Sequence, residues 1–427
     1  MRTVLKVFLI TFLSIVGVLL GAEGYFRLAV PVHPGVPMGW FWRVPDPITG
    51  WSLQPGVSGR SYNDVYEYDV AVQINELGLR SPAHIGYEKT PGVYRILLLG
   101  DSFVEAMQVE LEETFGQQLA RLLNEKGYRV EVINAGVGGW GTDQELLWLR
   151  HEGYKYHPDL IILAIYPRND FMNNYQPLES ANNGINLKPY FRLVDGRLQL
   201  ELFPFDPAKA PPVTRHDAVV LPPDPPPGPL RPVGEWLTRH SYFFRWVDPR
   251  VRLASPRFAA FLVRLGLLKP GQEMRLVAQG PDYVPLAYNV YRTQPDADWQ
   301  AAMDVSRALF AAVRDEAHAI GADMIAVLAN SPEEVYPFYW KRIEAQYPRM
   351  RGQEWSLEAP HQRLLAILAA EHIPALDLRP AFREAYARTG RMLHFAVDGH
   401  WTAAGHAVAA QALADFILSL GLLPGPS

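Results

Sequence analysis

The chain has 427 residues, 48% of them hydrophobic and 20% charged, with no cysteine and a formal net charge of −5. That much apolar material supports a large core and excludes global disorder. The missing thiols exclude disulfides, thiolate metal sites, iron–sulfur clusters and a cysteine nucleophile, so covalent chemistry here needs an oxygen or nitrogen nucleophile. Forty basic residues against forty-five acidic ones, with no basic run, argue against a nucleic-acid partner.

Val7 to Ala22 (VFLITFLSIVGVLLGA) carries no charge, follows Arg2 and Lys6, and precedes Glu23. Sixteen residues at about 1.5 Å each fall slightly short of a hydrocarbon core of roughly 30 Å, so Tyr25, Phe26 and Leu28 are needed to complete a span. The flanking charges put Arg2 and Lys6 inside and the chain after Glu23 outside. A cleaved signal peptide is the rival reading, but its best junction, after Ala22, has Leu20 where a small residue is wanted. The expectation is a signal anchor over residues 1–24 with an extracytoplasmic, periplasmic remainder. Residues 25–92, aromatic and broken by Pro and Gly, read as a stalk and flank with one strand near Tyr68 to Ile74.

From residue 93 short apolar runs alternate with amphipathic helices, the pattern of a parallel sheet covered on both faces. Strands are predicted at Tyr94 to Leu99, Arg129 to Ile133, Leu160 to Tyr166, Met324 to Ala329 and Ala375 to Leu378. Between them lies a helix near Glu112 to Glu125 that buries Phe115, Leu119 and Leu122 and stops at Gly127. Another is opened by a capping box of Thr142 and Glu145, and further helices run near Asp298 to Ile320, His361 to Glu371 and Ala403 to Leu418. Residues 175–295 interrupt this pattern. Eleven prolines between Pro204 and Pro232 rule out core sheet there, and Glu235 to Leu268 reads as helical, either packed on the domain or serving as a lid or membrane-facing flap. The expected fold is therefore α/β, a three-layer αβα sandwich with about five parallel strands in one domain, 93–420, split by a long insertion.

Ligands in such a sheet bind at the rim where the strands end. Gly100-Asp101-Ser102-Phe103 follows the first strand, Asn134 to Thr142 (NAGVGGWGT) the second, and Arg168-Asn169-Asp170 the third, while the loop after the fifth strand carries Asp398-Gly399-His400-Trp401-Thr402. A serine on that rim is inert until a base takes its proton. His400 is the candidate base and Asp398 its orienting acid. An oxyanion needs donors, and the candidates are the Ser102 amide, a glycine amide of the second loop and the Asn169 side chain.

Taken together, these four blocks resemble, in content and order, those of the SGNH (GDSL-like) hydrolases, over about Tyr94 to Asp170 and Asp298 to Leu418. The resemblance implies a flavodoxin-like fold, Ser102 as nucleophile, Gly139 and Asn169 in the oxyanion hole, Asp398 and His400 completing a triad, and no cofactor or metal. Family members usually read Asp-x-x-His, one residue longer than Asp398-x-His400. The Asp-x-His-Trp-Thr wording is similar instead to alginate-type polysaccharide O-acetyltransferases, which place that block ahead of the serine. Ile74 to Arg80 (INELGLR) also resembles the lead-in of membrane-anchored bacterial members. The expectation is a serine esterase acting on an ester or acylated carbohydrate, with an O-acyltransferase as alternative and a non-catalytic surface module as the reading of another class.

Competing readings are weaker. Gly136 to Gly141 formally matches the G-x-G-x-x-G dinucleotide fingerprint, but no acidic residue falls at the end of the next strand at the required distance. Val104 excludes a G-x-S-x-G elbow. Asn169 has a bland reading as a loop cap. His394 is the substitute base, and His406 is expected in the first turn of the last helix. With Asp398 and His400 these two histidines do not show metal-ligand spacing.

Overall fold

The computed structural model describes residues 2–30, 42–63, 65, 67–183, 186–210, 226, 228–270, 284–352 and 354–425. Residues 31–41 of the expected stalk and the proline-dense 211–225 lie outside the described residues. In chain order the elements are α1 (Arg2–Ala29), the short strands β1 (Arg43–Asp46), β2 (Gly50–Leu53), β3 (Ser58–Tyr62) and β4 (Asp69–Gln73), then β5 (Tyr94–Leu99), α2 (Ser102–Glu105), α3 (Phe115–Glu125), β6 (Val130–Asn134), α4 (Thr142–His151), β7 (Leu160–Ile165), α5 (Pro167–Asn173) and α6 (Gln176–Asn183). They continue with β8 (Tyr190–Val194), β9 (Arg197–Glu201), α7 (Arg231–His240), α8 (Tyr242–Ala254), α9 (Pro256–Leu265), α10 (Ala297–Ala319), β10 (Asp323–Leu328), α11 (Pro332–Val335), α12 (Pro337–Gln346), α13 (Ala359–Ala370), β11 (Ala375–Asp377), α14 (Arg379–Thr389) and α15 (Ala403–Ser419).

The chain divides into two compact units, Met1–Gly39, Tyr62–Glu67 and Val220–Tyr283 in one, and Trp40–Ser61, Tyr68–Val219 and Val284–Ser427 in the other. The larger unit is built on a five-stranded parallel sheet in the order β11-β10-β7-β5-β6. Numbered along the chain, that is the 2-1-3-4-5 order of flavodoxin-like sheets, with its switch point between β5 and β7. Side chains alternate across the sheet. Leu97, Leu99, Ile161, Leu163, Ile165 and Leu328 pack with α4, α10 and α13 on one face. Ile96, Leu98, Val132, Ile162 and Val327 pack with α3, α14 and α15 on the other. Both faces are therefore dry, which is why the strands read as unbroken apolar runs. This is the three-layer sandwich expected.

Several local readings change. α4 is opened by Gly141, whose N–H donates to Gln144 Oε1 (3.1 Å), and not by a Thr142–Glu145 box; Thr142 is the first helical residue. On α3 Phe115 and Leu119 are buried as expected, Leu122 packs on the core with part of its surface exposed, and Leu123 joins the buried face. The flank holds two two-stranded sheets, β1–β2, which pair antiparallel, and β3–β4, where one strand was predicted. The insertion contributes the β8–β9 hairpin, whose pairing runs from Tyr190 with Glu201 to Val194 with Arg197.

In the smaller unit α1 is long and apolar enough to cross a membrane, by length and composition. The predicted helical stretch is three helices, broken where Ser241 and Ser255 each cap the next helix, accepting from Phe244 N and Phe258 N. Glu23 of α1 accepts from Ser241 Oγ (2.7 Å), Tyr242 N (3.1 Å) and Phe243 N (3.1 Å), and so holds the start of α8. Arg27 donates to His240 O (2.7 Å), and the Phe26 ring packs on Phe243 and Trp246.

Candidate active site

β5 runs out at Leu99 and the chain turns at Gly100 into α2. Asp101 caps this one-turn helix by accepting from Phe103 N (2.9 Å), which leaves Ser102 as its first residue. The far end of the turn is held by Arg80, a buried guanidinium that donates to the Glu105 carbonyl (2.9 Å) and to the carbonyls of Ala106 and Val109. Burial pulls the Arg80 pKa down to about 10, still a cation at neutral pH. Asn134, at the end of β6, ties the two loops together: its Nδ2 donates to Val104 O (2.6 Å) and its Oδ1 accepts from Gly136 N (3.0 Å). Gly136 has to be glycine here, since a Cβ would come within 2.5 Å of Glu105 N. Gly136 and Gly138 sit against α2, while a Cβ on Gly141 would meet Asn173 and Asn174, so close packing accounts for the formal dinucleotide fingerprint.

The second wall is the loop before α15. His394 and Trp401 form an isolated antiparallel bridge, and Phe395 N donates to His400 O (2.8 Å), so residues 394–401 make a tight hairpin. Gly399 takes the left-handed conformation at φ +85°. That turn lets Asp398 Oδ1 accept from both the His400 amide (3.2 Å) and His400 Nδ1 (2.6 Å), so the shortened Asp-x-His spacing still brings the carboxylate onto the imidazole. Trp401 is the anchor, fully buried with its ring 4.9 Å from Phe103 and 5.2 Å from Phe382. Thr402 then caps α15, accepting from Gly405 N (3.3 Å). Each residue of Asp-Gly-His-Trp-Thr thus has a separate physical task.

His400 Nε2 sits 2.7 Å from Ser102 Oγ, giving a continuous row from Ser102 through His400 to Asp398. Tyr68, which sequence reasoning passed over, donates from its hydroxyl to Asp398 Oδ2 (3.2 Å). Burial pulls the His400 imidazole down, but the Asp398 carboxylate, with Asp101 and Glu105, more than offsets this and raises it above the ordinary histidine value. Burial pushes Asp398 up, and the hydrogen bonds from His400 and Tyr68 outweigh it, so this acid is held below its usual range.

Asn169 lies beside this row at the start of α5, and one N–H of its amide donates to Asp101 Oδ2 (2.8 Å). Gly139 lies in the turn before α4, where its carbonyl accepts from Asn173 Nδ2 (3.1 Å). The other histidines are elsewhere. Buried His394 lies between the Tyr336 hydroxyl (3.0 Å) and Asn330 O (3.1 Å), and His406 Nδ1 accepts from Phe115 N (3.2 Å). Burial pushes both imidazoles down to about 3. Among the described residues no group of His, Cys, Asp or Glu is arranged to hold a metal ion.

Behind Ser102 lies a buried polar layer that no motif announced. Burial pushes Asp101 up, against the hydrogen bonds from Asn169 and the Phe103 amide. Glu145 and Asp170 are pushed well above the carboxylate range by burial and by neighbouring acids, Asp101 and Asp143 on Glu145, Asp101 and Glu145 on Asp170. Fully buried Lys188 donates to Asp143 Oδ1 (2.7 Å) and Gln144 Oε1 (3.0 Å) and lies 3.4 Å from Glu179 Oε2.

Residues 286–425 match the family model described as SGNH hydrolase-like domain, acetyltransferase AlgX. The match takes in Asp398 and His400 but not Ser102, Gly139 or Asn169. No match to a curated protein sequence was found. Among solved structures the chain is similar to TesA (12% identity, 76% of this chain and 99% of that one, TM-score 0.34). It is also similar to the acetyl xylan esterase AlAXEase (11%, 76% and 98%, 0.35) and to a lipase/acylhydrolase from Enterococcus faecalis (13%, 78% and 98%, 0.33). Residues 286–425, which contribute β10 and β11 of the five-stranded parallel sheet, are thus similar to an SGNH hydrolase-like domain.

Proposed function

We propose that the chain is a serine-dependent ester hydrolase or acyltransferase that works through an acyl group on Ser102. The observation that carries this reading is the hydrogen-bonded row from Ser102 Oγ to His400 Nε2 and from His400 Nδ1 to Asp398 Oδ1, at 2.7 and 2.6 Å. In the first half-reaction Ser102 Oγ attacks the acyl carbonyl carbon while its proton passes to His400 Nε2. The tetrahedral oxyanion is met by the Ser102 and Gly139 amides and by Asn169, whose orientation is set by Asp101. Losing one such donor typically costs about 2.7–4 kcal/mol of barrier. His400 then gives the proton to the departing alkoxide, leaving acyl-Ser102. In the second half a water or a sugar hydroxyl attacks the acyl carbonyl carbon while His400 takes its proton; the bond from that carbon to Ser102 Oγ then breaks as His400 returns the proton to Oγ.

The reading includes an acetyl group on a cell-surface carbohydrate as the substrate, and α1 as a signal anchor holding the enzyme on the outer face of the cytoplasmic membrane. The family model's acetyltransferase description favours transfer to an acceptor other than water, whereas water as acceptor makes the same site an esterase.

A fluorophosphonate should label the full chain at Ser102 alone, with labelling and p-nitrophenyl acetate turnover both lost in Ser102→Ala. Equal turnover in wild type and Ser102→Ala would sink the enzyme reading and leave the binding module. Product analysis with an added oligosaccharide acceptor separates transfer from hydrolysis.

A further inference from the structure

The smaller unit carries a surface that the chemistry at Ser102 does not use. Residues 228–270 hold eight Lys or Arg against two Asp or Glu, in a chain whose net charge is −5. The same segment exposes large apolar side chains: Val233 and Trp236 on α7, Leu253 on α8, Phe258 and Phe261 on α9, each between 49% and 59% accessible. Phe258 and Phe261 stack on one another, one turn apart, with Arg257 and Arg264 on the same helix. Aromatic residues interleaved with arginine are the composition of helices that lie in a membrane interface. An exposed apolar surface of this kind marks a binding face rather than ordinary solvent exposure.

What covers it follows from where the unit is attached. α8 is held through Glu23 and Phe26 of α1 and the end of α7 through Arg27, and Glu23 is the first charge after the apolar run. Sixteen uncharged residues span about 24 Å, so Glu23 to Arg27 emerge at the level of the lipid headgroups when α1 is inserted. The basic, aromatic helices therefore begin at that level.

We propose that α7–α9 form a second membrane attachment, lying in the outer headgroup layer of the bilayer that α1 enters. Trp236, Phe258 and Phe261 reach the acyl boundary, and Arg239, Arg257 and Arg264 meet the phosphates of anionic phospholipids. Each such cation near the surface contributes roughly a tenfold-or-less gain in binding, so the cluster acts collectively. This rests on the anchor reading of α1.

The cysteine-free chain allows a clean test. Single cysteines replacing Trp236, Phe258, Phe261, Gln411 or Leu13 are labelled with an environment-sensitive fluorophore. Each full-length chain is then reconstituted into vesicles of phosphatidylethanolamine and phosphatidylglycerol containing spin-labelled lipids, a shallow one to reach positions 236, 258 and 261 and a deep one to reach position 13. Labels at 236, 258 and 261 should be quenched about threefold more than at 411, and more strongly as the phosphatidylglycerol fraction rises. Quenching at position 13 with none beyond the level of 411 at 258 and 261 would overturn this proposal alone. No quenching at 13 would remove the anchor and this attachment together. A signal at 258 and 261 that disappears on diluting protein into excess lipid would mark a second copy as the occupant and equally overturn it.

Discussion

His400 Nε2 and Ser102 Oγ lie 2.7 Å apart although 298 positions separate the two residues. The sheet closes this distance, because β5 delivers Ser102 to its C-terminal rim and Trp401, wedged against Phe103 and Phe382, brings the hairpin of His400 to the same rim. This juxtaposition supports several measurable expectations.

Replacing His400 by Ala should lower kcat on an ester by at least about 10³-fold with little change in folding. His394→Ala should behave in the opposite way, since it breaks buried hydrogen bonds to Tyr336 and Asn330. It should cost about 1–3 kcal/mol of stability and leave kcat within a few-fold. Urea unfolding and kcat on both variants check this, and a large kcat loss confined to His394→Ala would move the base.

The pH profile follows from the raised His400. The base works when neutral, so the acid limb of kcat/KM should lie above the ordinary histidine value of about 6.5. Asp398→Asn removes the main group that raises it, so the limb should move to lower pH while the plateau rate drops by about 10²–10⁴-fold. A limb that stays in place in Asp398→Asn would show that Asp398 does not face the titrating base.

Lys188→Met should be among the most destabilising substitutions, because it leaves Asp143 and Glu179 buried without their cation. Removing one partner of such a pair costs about 3–5 kcal/mol. Chemical denaturation at pH 7 measures it. A loss under about 1 kcal/mol would mean that water reaches the cluster.

Glu145→Gln should stabilise the protein in a pH-dependent way. The folded-state pKa of Glu145 is raised, so the native chain holds a proton that the unfolded chain has released above about pH 4.3, and stability declines as pH rises through that window. The variant should unfold like the parent near pH 4 and at higher denaturant near pH 8. An equal midpoint shift at both values would refute the buried-proton account.

Much of the architecture is legible in the residues. The unbroken apolar run Tyr94 to Leu99 is β5 itself, because a strand covered on both faces has no polar side to interrupt it. Ser102 and Asn169 were readable together because loops after parallel strands share one rim, whereas Asp398 and His400, read as the loop after the fifth strand, lie beyond α14, a helix the sequence reading did not place. Arg80 and Tyr68 were not. Their roles are to close the end of α2 and to hydrogen-bond Asp398, and no local pattern encodes a contact to carbonyls or carboxylates far along the chain. The Thr142–Glu145 pair looked like a cap for the same reason in reverse: the spacing was right, but Gly141 and Gln144 took the task and Glu145 went inward.

The sequence by itself therefore determined the apolar N-terminal helix, the five strands and the four chemical blocks in order, since these depend on local hydrophobicity and on residue type. Tertiary structure alone decided which histidine meets the serine, how Gly399 makes the short Asp-x-His spacing work, and which carboxylates share the buried layer around Lys188. Those outcomes depend on packing and desolvation between distant segments, and both are properties of the folded chain.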